Sequence, residues 1–105
     1  MDAWVPDECS LPTADQPLRL AELDELFARS LHAQERVGRT QLRWWFAPGS
    51  AEVAAQLTAR EAACCSFFTF RITVEELVRV DVAVPDEFVD VVDALEARAA
   101  RGLRT

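Results

Sequence analysis

The chain has 105 residues, 50% of them hydrophobic and 28% charged, and its eighteen acidic and eleven basic residues leave a net charge of −7. This composition excludes intrinsic disorder, and no apolar run reaches the roughly 18 residues that a membrane-spanning helix needs. A phosphate backbone would be repelled by the acidic field, so the chain alone is not expected to bind nucleic acid.

Residues 1–15 read as an irregular segment in which Pro6 and Pro12 bracket Cys9, with a short extended stretch around Val5, Cys9 and Leu11. Pro17 suits the first turn of a helix over 17–32. There Leu20, Leu23, Phe27 and Leu31 recur at spacings of three and four, while Glu22, Asp24, Glu25 and Arg29 face outward. Residues 34–39 read as a polar connection containing Gly38. Thr40–Ala47 then alternates as a strand, with Leu42, Trp44 and Phe46 on one face and Gln41, Arg43 and Trp45 on the other.

Pro48, Gly49 and Ser50 form a turn, with Ser50 placed to cap a second helix over about 51–64. Its expected inward stripe is Val53, Leu57 and Cys64. Phe67–Val74 and Leu77–Val84 alternate as a hairpin around Glu75 and Glu76. A last helix is expected over about 87–101, with Phe88, Val91, Val92, Leu95 and Ala99 as its apolar face and Gly102 ending it. The order α-β-α-β-β-α predicts a single α+β domain spanning 1–105. Its architecture would be a two-layer sandwich with a three- or four-stranded, mainly antiparallel sheet.

Cys9, Cys64 and Cys65 carry the most distinctive chemistry, because the chain has one histidine and no tyrosine. An odd cysteine count argues against a disulfide scaffold. A vicinal pair at a helix end plus one remote thiol makes a three-coordinate site for a soft ion; Cu(I), Hg(II), As(III), Cd(II) and Pb(II) suit it, and Mg²⁺ and Ca²⁺ do not. Zinc usually takes four ligands from CxxC pairs, which are absent, but stays open. The competing reading is that all three cysteines are buried structural residues. A catalytic thiol is disfavoured at a helix C-terminus, whose partial charge opposes ionisation, although Arg60 lies one turn before Cys64. Cleavage of a carbon–mercury bond would need a proton donor such as Glu61 or Asp7.

His32 reads as a solvated surface group. The aromatic residues Trp44, Phe46, Phe68 and Phe70 read as core; Trp45 and Phe67, on the opposite face, would form a dimer patch if that face were uncovered. No enzyme motif occurs.

Residues 59–85, AREAACCSFFTFRITVEELVRVDVAVP, resemble part of the C-terminal effector domain of actinobacterial MerR-family heavy-metal regulators. Residues 9–27, CSLPTADQPLRLAELDELF, resemble that domain's opening. The resemblance covers roughly residues 5–100 and implies Cys9, Cys64 and Cys65 as ligands of a soft metal, Hg(II) or an organomercurial foremost. Those regulators place a winged helix-turn-helix and a dimerising helix ahead of the domain, and this sequence shows neither. The expectation is therefore a stand-alone metal-binding, buffering or sensing protein and not an enzyme. It would be cytoplasmic, since no basic region and apolar stretch open the chain. The alternative is an interaction or dimerisation module with structural cysteines, whose partner would be a second copy or a regulator protein.

Overall fold

The computed structural model describes residues 16–65 and 67–103, with the side chains of 16–20 and 64 left aside. Along the chain come α1 (Gln16–Ser30), β1 (Leu31–Gly38), β2 (Gln41–Phe46), α2 (Ala51–Cys64), β3 (Thr69–Val74) and β4 (Val78–Ala83). A 3-10 turn (Asp86–Phe88) then leads into α3 (Val89–Leu103). The strands form one antiparallel sheet in the order β1-β2-β4-β3. The α+β architecture is the expected one, with a fourth strand that the polar composition of 34–39 conceals. The extended stretch expected around Cys9 lies outside the described residues.

The hidden strand, β1, alternates as any strand does, but past Leu31 its inward residues are polar. Gln34 lies opposite Trp44, and Arg36 opposite Leu42, on the face that carries the core. Each is satisfied from α3. The Gln34 amide donates to the Glu96 carbonyl at 3.1 Å and accepts from the Trp44 indole N–H at 2.8 Å. Arg36 reaches Glu96 at 2.7 Å and Asp93 at 2.9 Å. Burial opposes the charge on Arg36, but its bonds to Asp93 and Glu96 outweigh that and hold its pKa above the ordinary value.

The core lies between the helices and one face of the sheet. Leu42, Trp44 and Phe46 of β2 and Val78, Val80 and Val82 of β4 meet Leu23, Leu26 and Phe27 of α1, Leu57 of α2, and Val92 and Leu95 of α3. Phe27 sits edge-on to Trp44, with ring centroids 5.0 Å apart. Helix α1 stops at Ser30, two residues before the expected end. The Ser30 carbonyl accepts the Ala47 N–H at 2.8 Å, and Leu31 turns into the sheet. Asp24 grips Arg98 through two hydrogen bonds of 3.0 and 2.7 Å, tying α1 to α3.

Gly102 does not end the last helix; it lies inside α3. A Cβ at this position would stand 2.6 Å from the Phe27 Cβ and 2.9 Å from the Phe27 carbonyl carbon, so the glycine permits the close approach of α1 and α3. Gly49, at φ +89°, makes the turn before α2.

Among the described residues no helix packs on the other sheet face. Arg43 of β2 pairs with Asp81 of β4 at 2.6 Å, Arg79 reaches the same carboxylate at 3.3 Å, and Glu35 of β1 stands 3.9 Å from Arg43. Arg43 is held above its ordinary pKa, first by its hydrogen bond to Asp81. This ladder borders a shallow polar depression of about 340 Å³. Trp45 lies half-buried on the same face, but Phe67 does not share it. It precedes β3 and stacks on Phe88 with centroids 4.2 Å apart, joining the core instead of the expected dimer patch. Among the described residues no helix is long and apolar enough to cross a membrane.

Candidate functional site

Helix α2 owes its stability to alanine, which supplies six of its fourteen residues, and to Glu52 in its first turn. Ser50 caps it through the main chain: its carbonyl accepts the Ala54 N–H at 2.9 Å, and its side chain makes no cap bond. The inward stripe is Ala54, Leu57 and Glu61, continued by Cys65, so that the expected Leu57 faces inward but the expected Val53 does not; the side chain of Cys64 lies outside the described residues. Val53 is 48% exposed. Hydropathy favours valine inside, but the rotation that buries Leu57 and Cys65 also turns Ala54 inward and leaves Val53 facing out.

Cys64 is the last residue of α2, and Cys65 is the extended residue that ends it. The main chain of Cys65 is held on both sides: its N–H donates to the Glu61 carbonyl at 2.7 Å, and its carbonyl accepts the Phe68 N–H at 3.2 Å. Its side chain, 1% exposed, belongs to the core. One helical turn earlier stands Glu61, only 6% exposed, a rare position for a carboxylate. It lines an interior cavity of about 20 Å³ with Thr58, Leu57, Phe68, Phe70 and Trp44. Room for about one water is the most such a volume offers. In the sequence Glu61 stands out as a candidate proton donor near the cysteines, not as a core residue. Its spacing of four from Leu57 and from Cys65 was the signal that it faces inward.

Of the three expected ligands, the structure describes the side chain of Cys65 alone. The side chain of Cys64 and the whole of Cys9 lie outside the described residues, as does Asp7. Among the described residues, no three His, Cys, Asp or Glu side chains gather into a group able to hold a metal ion. Arg60, weighed as a cation near the thiols, is engaged by Glu22 of α1 through a two-pronged ion pair. His32 is exposed on β1, as expected.

Comparison of the chain with known protein families, with curated proteins and with solved structures finds no match.

Proposed function

We propose that this protein captures a soft, thiol-seeking metal ion of the Hg(II), Cu(I) or As(III) class through Cys9, Cys64 and Cys65, for sensing, buffering or resistance. The observation that carries the reading is the corner after α2. Two consecutive cysteines stand where helical geometry ends, and the main chain of the second is anchored to Glu61 and Phe68. An anchored main chain limits the entropy lost when a ligand is ordered around an ion. A soft ion drives off the thiol protons itself, so a helix C-terminus, poor for a nucleophile, is no obstacle to a ligand. The resemblance of residues 5–100 to the effector domain of heavy-metal regulators points to the same class of ion. In this reading Cys64 and Cys65 receive the ion and Cys9 completes the site. The ion is cargo, and no catalytic step is assigned.

Titration of the full chain with Hg(II), Cu(I), As(III) and Zn(II) tests this, with thiolate-to-metal absorption and melting temperature as readouts. An ion present at about 100 times its dissociation constant stabilises the fold by about 2.7 kcal/mol. Cys9→Ser and Cys64→Ser each weaken binding. If no ion shifts either signal, or if Cys9→Ser leaves the affinity unchanged, the three-thiol site is wrong.

One observation favours a second reading. The complete burial of Cys65 in the apolar core is what a structural cysteine in an interaction module would show. That reading predicts no stabilisation by any of the four ions, and a thiol that reacts only in denaturant.

A further inference from the structure

We infer that two copies of this protein pair through the β3 edge of the sheet, antiparallel about a two-fold axis at Thr73, independently of any metal. A sheet in the order β1-β2-β4-β3 has two edges, and they differ. The β1 edge is guarded in the ways that prevent pairing: two register irregularities interrupt it, and His32, Glu35 and Arg36 load it with polar and charged groups. The β3 edge is guarded far less. Its sequence, TFRITV, pairs with β4 without a bulge, contains neither proline nor glycine, and carries one charge. Phe70 and Ile72 are only half-buried, and Val74 is 65% exposed.

Register follows from the two faces and from charge. Side chains opposite one another across an antiparallel pair share a face, so a symmetric pairing must be centred on a residue and not between two. Centring on Arg71 sets two guanidinium groups directly opposite, which is unfavourable. Centring on Ile72 sets Ile72 against Ile72, Phe70 against Val74, and Arg71 against Thr73. It leaves Arg71 of each copy diagonal both to Glu75 and to Arg71 of the other, whereas centring on Thr73 sets Ile72 against Val74 and Arg71 directly against Glu75 of the other copy. Both residues are exposed, and among the described residues neither forms an ion pair. The occupant of this edge is therefore the same edge of a second copy, since its charges and its apolar residues complement themselves.

Sedimentation of the full chain across roughly 1–500 μM tests the proposal, because association of like chains depends on protomer concentration. A monomer–dimer equilibrium is expected. Arg71→Glu opposes two carboxylates at each end of the pair and raises the dissociation constant about tenfold or more. The exchanged double variant R71E/E75R restores dimerisation. Both positions are exposed, so far-ultraviolet circular dichroism and the melting temperature of the dilute monomer report that the fold is kept. Three results would each overturn the proposal: a monomer at every concentration, as follows if another part of the chain occupies the edge; a dimer indifferent to Arg71→Glu; or a double variant that fails to recover.

Discussion

Replacing Gly102 by alanine separates two accounts of that residue, because they predict opposite signs. A glycine that merely sat near a helix end would be improved by alanine, whose helix propensity is about 1 kcal/mol better, or somewhat less in the last turn. The structure puts the added methyl group 2.6 Å from the Phe27 Cβ and 2.9 Å from the Phe27 carbonyl carbon. Neither atom is the tip of a flexible side chain, so α1 and α3 must separate. Overpacking of this kind costs about 1–3 kcal/mol. The propensity gain offsets part of it, leaving a net loss of up to about 2 kcal/mol, and each kcal/mol lowers the melting temperature by about 4–8 °C in a domain of this size. Urea unfolding followed by tryptophan fluorescence measures it, since Trp44 packs edge-on to the same Phe27. Gly38→Ala is the control: its added methyl would meet only the Gln41 side-chain oxygen at 4.0 Å, and the change is expected within about 0.5 kcal/mol of neutral or slightly stabilising. An unfolding midpoint that rises in Gly102→Ala would refute the close approach.

The rotation of α2 is tested by a pair of neighbours: Val53→Glu shifts stability by less than about 0.5 kcal/mol, whereas Ala54→Glu prevents folding because it buries a charge without space for it. Circular dichroism of the two variants decides between this register and the one that points Val53 inward. Gln34→Leu removes the acceptor for the Trp44 indole and the donor to the Glu96 carbonyl, with an expected cost of about 1–3 kcal/mol in urea unfolding. Unchanged stability would mean that β1 is not held in this way. Cys65→Ser exchanges a buried thiol for a hydroxyl and is expected to cost about 1–3 kcal/mol in the absence of any metal, whereas an exposed residue would tolerate it.

Much of the architecture was legible because hydropathy and geometry agreed. Leu42, Trp44 and Phe46, and Val78, Val80 and Val82, alternate in the sequence and are buried together in the sheet. Where they disagreed, the reading failed for nameable reasons. Gln34 and Arg36 face inward because groups about sixty positions away on α3 satisfy them, and no local window contains Glu96. Val53 and Ala54 compete for one position on α2, and the rotation shared with Leu57 and Cys65 outweighs the greater hydropathy of valine. Gly102 has the sequence context of a helix terminator, and only the neighbouring helix reveals its other use. At the candidate site the vicinal cysteines and their place at the end of α2 were readable. The burial of Glu61 was not foreseen, because a carboxylate in a helix is ordinarily assigned to solvent.

The dependence of β1 on α3 has a consequence for how the protein is made. Gln34 bonds to a residue 62 positions later, and the grip of Asp24 on Arg98 spans 74. A ribosome that has released β1 and β2 has not yet produced the groups that neutralise and hydrogen-bond the inner side of β1. The early strands must wait, unsealed, until α3 emerges. Folding is then concerted and comparatively slow, as non-local topologies are. A nascent chain that lacks α3 would expose Trp44 and Phe46 to whatever chaperone stands nearest.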